Sequence, residues 1–310
     1  MTPNSGRAGA RRDIAAEINA KILADLERGV LPWKKPWDGA RAGGSVGMPL
    51  RVGGEPYRGV NVVLLWSAAV DAGFRSRYWL TFNQTAKLGA HVRKGEKGEF
   101  VVYYGTTTKL RTNEAGQESE DTFRFLKSYV VFNADQIEGL DAHLYVQPTV
   151  AGILPLVAHE AWFAKLEVAR IMTRDTACYI PSRDVIGMPP IEVFDSPETY
   201  AATLDHELVH SCKAKHRCDR DFSKRYGESA YYVEEICAEV GACQLGAHLG
   251  LPPAHLHDHS AYIDHWVKLL RNDRRVFLDA AAKAQASVDW LLAKSPAPTQ
   301  SVMEAANVAA

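Results

Sequence analysis

The chain has 310 residues, 46% of them hydrophobic and 24% charged, with 36 Lys plus Arg against 37 Asp plus Glu. Its 7 Trp, 12 Tyr and 10 Phe supply enough apolar mass for packed cores, which excludes a wholly disordered protein. No uncharged apolar stretch is long enough to span a bilayer and residues 1–12 lack the apolar centre of a signal peptide, so a cytoplasmic protein with no membrane partner is expected.

Residues 1–100 hold 16 Lys plus Arg against 9 Asp plus Glu, a charge of +7, and residues 101–310 hold 20 against 28, a charge of −8. A basic segment joined to an acidic one suits an anion-binding module attached to a domain with another task. All five cysteines (Cys178, Cys212, Cys218, Cys237, Cys243) lie in the second half, and an odd set without a secretion signal reads as reduced thiols.

In chain order, apolar residues at three- and four-residue spacing (Ile14, Ile18, Ile22, Leu26) predict a helix over 13–28, closed by Gly29. Two prolines forbid helix over 31–38, and a glycine-rich loop follows to 54. Helices are expected over 61–72 and from just after Thr81 to Leu88, then a basic turn over 93–98. Two β-rich runs, 99–107 and 122–132, read as a long hairpin around a polar loop over 112–121. Pro148, Gly152 and Pro155 place a domain boundary near residue 145.

Beyond the boundary a helix is expected over 156–167 and short strands over 177–194. Ser196, Pro197 and Glu198 open a helix that reaches Cys212: a capping hydroxyl, a proline at the first position and an acid in the first turn. A further helix runs from 227 or 229 to 249, stopped by Gly250, and others cover 259–272 and 276–292. The fold class is therefore α+β in two domains. Residues 1–145 form a mixed helix and β-hairpin domain, residues 146–294 a mostly helical domain with a small sheet, and residues 295–310 a frayed tail.

His206-Glu207-Leu-Val-His210 is an H-E-x-x-H motif within the helix that Ser196 caps. Spacing of four puts His206 and His210 on one helical face within reach of one metal ion, with Glu207 placed to activate a water. A catalytic zinc site needs a third protein ligand, and the next helix offers Glu235 and Glu239, one turn apart. Glu235 is assigned as that ligand and Glu239 as a carboxylate that orients a ligating imidazole, with the reverse assignment open. One Zn2+ per chain is expected; the His, His, Glu donor set favours zinc without separating it from manganese or cobalt. Tyr231 and Tyr232 are candidate donors to an oxyanion. The Cys212, Cys218 and His216 group has no C-x2-C knuckle and reads as helix packing, and His255, His257 and His259 read as a solvated turn.

Single-stranded nucleic acid is held by cations along its backbone and aromatic faces beneath its bases. The first domain interleaves these types: Trp33, Lys34, Lys35, Trp37; Tyr57, Arg58; Tyr78, Trp79; Arg93, Lys94, Lys97; Tyr103, Tyr104; Lys127, Tyr129. Trp33, Lys34, Lys35, Trp37, Tyr57, Arg58, Arg93, Lys94 and Lys97 are the expected DNA contacts, and no motif for reading a duplex is present.

Taken together the residues resemble the ArdC-type antirestriction proteins of conjugative plasmids, over about residues 13–292. The matching stretches are Leu31-Pro-Trp-Lys-Lys-Pro-Trp37, Pro56-Tyr-Arg-Gly-Val-Asn-Val62, Trp79-Leu-Thr-Phe-Asn-Gln84, Gly89-Ala-His-Val-Arg-Lys-Gly-Glu-Lys-Gly98, Val131-Phe-Asn-Ala-Asp-Gln136, Pro189-Pro190 and the H-E-x-x-H with its Glu235/Glu239 helix. The resemblance implies a domain that binds single-stranded DNA, a zincin-like metallopeptidase domain and a role in shielding incoming plasmid DNA from restriction during conjugation. It also implies an unidentified protein substrate, one bound to DNA. Ser211-Cys-Lys-Ala-Lys-His216 stands where the family commonly has Thr-Gly-His, so the loop leaving the metal helix departs from the pattern. The competing expectation is a non-catalytic protein that coats single-stranded DNA and keeps a structural metal. A nuclease is disfavoured, since two-metal chemistry wants clustered acids that the sequence lacks.

Overall fold

The structure, a computed structural model, describes residues 13–34, 47–112, 118–145, 156–173, 175–251 and 260–298. Asp13 opens α1 (Ile14–Leu26) by accepting the Ala16 amide at 3.1 Å, and Ile18, Ile22 and Leu26 form its buried stripe. After β1 (Leu50–Arg51) the chain turns into α2 (Val60–Ala72) at Gly59, whose φ of +58° strains any residue with a Cβ. β2 (Tyr78–Thr81) enters α3 (Phe82–Lys87) through a capping box: Thr81 Oγ1 accepts the Gln84 amide and Gln84 Oε1 accepts the Thr81 amide. β3 (His91–Val92) leads to β4 (Glu99–Thr112) and β5 (Glu118–Asn133), and β6 (Ile137–Glu138) returns to pair with β3. The main sheet has the order β1-β2-β5-β4.

The β4–β5 ladder runs from Glu99 opposite Val131 to Thr112 opposite Glu118, so the hairpin is longer than its hydrophobic pattern indicates. Apart from Leu110, residues 108–112 and 118–121 are polar, and hydrogen-bonded pairing continues through them without the apolar alternation that marks a half-buried strand. The short strands β1, β2 and β3 gave no such signal either.

In the second half, α4 (Leu156–Ala164) precedes β7 (Ala169–Met172), β8 (Cys178–Ile180) and β9 (Val185–Met188), a sheet of order β7-β9-β8 with β8 antiparallel at one edge. Ser196 Oγ accepts the Thr199 amide at 3.2 Å and Pro197 occupies the first turn of α5 (Pro197–Ser211). α6 (Ser223–Tyr226), α7 (Ala230–Leu249), α8 (Ser260–Asn272) and α9 (Val276–Lys294) complete the described chain. Of the expected tail, Ser295 is buried and held to Trp162, whose indole donates to Ser295 O at 2.6 Å; residues 299–310 lie outside the described residues.

One apolar core joins the halves. Ile18, Trp33, Val63 and Leu65 from the N-terminal half pack with Ile236, Val240, Trp266 and Phe277 from the C-terminal half. A second core fills the space between α4, the small sheet, α5 and α7, through Trp162, Ile186, Leu204, Leu208 and Leu245. α7 serves both cores and is buried all round from Val233 to Gly246, so its polar residues Glu234, Glu235, Glu239 and Gln244 all lie away from water.

Candidate metal centre

The site is built where α5 meets α7. Gly241 on α7 faces Val209 on α5, and a Cβ there would lie 2.8 Å from Val209 Cγ1, so the missing side chain sets how closely the helices approach. That approach carries Glu235 to the imidazoles of α5. His206 Nε2 and His210 Nε2 lie 3.0 Å apart; Glu235 Oε2 is 3.5 Å from the first and Glu235 Oε1 3.5 Å from the second. One ligand atom from each of the three buried residues lies within 4.8 Å of the others. Two imidazole nitrogens and a carboxylate converging in this way match the donor number and type that hold one divalent cation with a position left for water.

A second layer fixes the imidazole of His210. Its Nδ1 lies 3.0 Å from Glu234 Oε1, and Arg220 grips the same carboxylate through Nε (2.8 Å) and Nη2 (2.6 Å). Arg220 also donates to Val209 O and Ser287 Oγ, which ties α5, α7 and α9 together. Burial raises the Glu234 carboxyl, but Arg220 and His210 outweigh it and hold it at about 2. Glu235 is likewise held well below the usual carboxylate range by the two histidines, against its burial. Burial lowers His210, and Glu234 and Glu235 more than reverse this, to about 9. No sequence signal marks Glu234, because adjacency to Glu235 gives no sign of which acid turns toward α5.

Glu207 Oε2 accepts the amide of Tyr179 on the edge strand β8 at 2.7 Å, so its carboxylate is aimed by the small sheet. Asp205, two residues earlier and buried, bonds His159 Nε2 at 2.9 Å and locks α4 against α5. Glu239 stands one turn from Glu235 and accepts Trp33 Nε1 at 3.1 Å, with Lys34 Nζ 3.4 Å from the same oxygen. The Tyr231 hydroxyl, half-exposed and raised by burial and by the nearby Glu235, meets that of Tyr262 at 2.9 Å, whereas Tyr232 stacks on His265.

The expected DNA contacts separate into three settings. Trp33 is 0% exposed, stacked on Phe277 and edge-on to Trp266, and Tyr57 is buried with its hydroxyl pushed up to about 12; neither presents a ring face to a base. With them, Lys34 and Arg58 belong to the joint between the halves: Lys34 reaches Glu239, Arg58 pairs with Asp289 on α9, and the Gly59 amide donates to Gln285 Oε1 at 2.7 Å. The physical reason is that the large apolar surface of α1 and α2 is covered by α7, α8 and α9, a long-range contact no local pattern encodes. Arg93, Lys94 and Lys97 are exposed on the turn before β4, with Arg93 bonded to Glu96. Lys35 and Trp37 lie outside the described residues. No helix of the described residues is long and apolar enough to cross a membrane.

A capped helix carrying two histidines, a returning helix carrying an acid and a small sheet with an antiparallel edge define a zincin-like metallopeptidase domain, and residues 157–283 match the family described as zincin-like metallopeptidase. Residues 12–132 match the N-terminal domain of anti-restriction factor ArdC. The chain belongs to the ArdC antirestriction family. It is 39% identical to the antirestriction protein ArdC of plasmid R388, whose metal-free crystal structure superposes with a TM-score of 0.77 over 91% of this chain and 98% of that one. The Mn(II)-bound crystal structure of that protein gives a TM-score of 0.76. Protein y4eC of Sinorhizobium fredii is 35% identical over 91% of this chain and 92% of its own length. DNA primase TraC of Escherichia coli is 31% identical over 92% of this chain, which spans only 28% of that longer protein.

Proposed function

We propose that the protein binds single-stranded DNA and carries a zinc-dependent peptidase, and that it shields incoming plasmid DNA from restriction during conjugation. The observation that carries the peptidase reading is the convergence of His206, His210 and Glu235 beside Glu207. These three residues would hold one divalent ion, which when bound acidifies water and polarises a scissile carbonyl. The Mn(II)-bound structure of a relative supports divalent-ion binding, and the donor set of His206, His210 and Glu235 supports zinc here.

The chain's own groups divide the remaining work. Glu207, fixed through Oε2 by the Tyr179 amide, offers Oε1 to take the proton of the attacking water and later deliver it to the leaving amine. Glu234, clamped by Arg220, holds the His210 ring with Nε2 directed at Glu235. The Tyr231 hydroxyl, bonded to that of Tyr262 at 2.9 Å on the first turn of α7, is the candidate donor to a developing oxyanion. The basic, aromatic N-terminal half supports DNA binding that concentrates the peptidase near DNA-bound protein targets.

The test is metal content and proteolysis of the full chain with single-stranded DNA present. One zinc per chain is expected in the wild type, lost in Glu235→Ala and kept in Glu207→Gln, with peptide cleavage absent from both. If Glu207→Gln protects DNA from restriction as well as the wild type does, the protein acts by coating the strand.

A further inference from the structure

We infer that the outer face of the β4–β5 hairpin is the platform on which single-stranded DNA stacks, an inference that rests on the DNA-binding reading above. The register sets Tyr103 opposite Lys127, Gly105 opposite Phe125 and Thr107 opposite Phe123, so these side chains share one face of the ribbon. Tyr129, two residues beyond Lys127, lies on that same face. Tyr103 is 54% exposed, Phe123 49% and Tyr129 47%, a row of rings that a protein leaves in water only where something covers it.

Gly105 explains how the row works. A Cβ at this position would lie 2.2 Å from Phe125 Cζ, so the ring of Phe125 lies down across the glycine and turns a face outward. Lys127 Nζ sits over that face, 4.9 Å from the ring centroid, and the Tyr103 ring adjoins it at 6.2 Å. A base stacked on Phe125 takes the place of the ammonium, which its flexible stem lets swing to a phosphate. Phe123, Phe125, Lys127 and Tyr129 recur at every second residue, which strings stacking faces and a cation along one strand. Such a row suits unpaired bases. A duplex keeps its base faces covered and has nothing to lay on it. The lysine among the rings favours a polyanion over an apolar protein surface.

Full-length protein titrated against a fluorescein-labelled oligothymidylate, read by fluorescence anisotropy, tests this. Phe125→Ala and Tyr103→Ala are each expected to weaken binding about tenfold with the salt dependence unchanged. Lys127→Ala is expected to lower the slope of log Kd against log salt by about one. Phe125→Trp is expected to keep the affinity, and its emission is quenched as the oligonucleotide binds. Wild-type affinity in the Phe125→Ala, Tyr103→Ala double variant, or binding to Phe125→Trp without quenching, overturns the platform and leaves the DNA-binding reading standing. A double variant that changes only the sedimentation of the protein makes the face a contact between copies and likewise overturns it. No binding by the wild type overturns both.

Discussion

Trp33 Nε1 donates to Glu239 Oε2 across 3.1 Å although 206 residues separate them in the chain, and Glu239 stands one turn along α7 from Glu235. The N-terminal half therefore reaches the helix that supplies the third member of the metal centre. Trp33→Phe keeps a ring against Phe277 and Trp266 but removes a donor from a buried carboxylate. It should cost about 1.5–3 kcal/mol, checked by denaturant unfolding of the full chain.

The clamp on His210 gives a second expectation. Glu234→Gln keeps the shape of the side chain but loses the charge that holds the imidazole, and divalent-metal affinity should fall about 10- to 100-fold in competition with a chromophoric chelator. Arg220→Met leaves Glu234 buried without its cation and should destabilise the fold by about 3–5 kcal/mol. An Arg220→Met protein as stable as the wild type would remove the clamp from the account.

Gly241→Val tests the helix approach. The added side chain must displace Val209, so stability should drop by about 1–3 kcal/mol and metal affinity with it, because Glu235 is carried away from the imidazoles. A thermal melt and the same chelator competition read the two effects separately.

Cysteine reactivity supplies a pH-dependent check. The bond from the Cys212 thiol, with Arg220 and Lys283, lowers Cys218 to about 7; that same bond and then burial raise Cys212, and burial raises Cys178 and Cys237. Below pH 7 the Cys218 proton stays on; above it the thiolate dominates while the raised thiols remain protonated. At pH 7.5 iodoacetamide should therefore label Cys218 first, with a rate that rises through pH 7, as peptide mass spectrometry will show. Preferential labelling of Cys178 would contradict this ordering.

What the sequence by itself determined is local. The Ser196 cap and the four-residue spacing of His206 and His210 need only neighbours within a turn, and an apolar stripe is enough to mark α1, α2 and α9. The tertiary structure decided the rest. Glu234, Glu235 and Glu239 lie on one helix, and the rotation of α7 about its axis, set by Gly241 against Val209, turns Glu235 to both imidazoles, Glu234 to His210 and Arg220, and Glu239 to Trp33. Composition marked Trp33, Lys34, Tyr57 and Arg58 as a DNA surface, yet Trp33 and Tyr57 are buried and Lys34 turns to Glu239 at the joint between the halves, whereas Arg58 pairs with Asp289 and stays exposed. Composition reports which side chains a segment carries. Which of them reach water depends on surfaces brought together from hundreds of residues away, where the gain from burying apolar area outweighs any local preference.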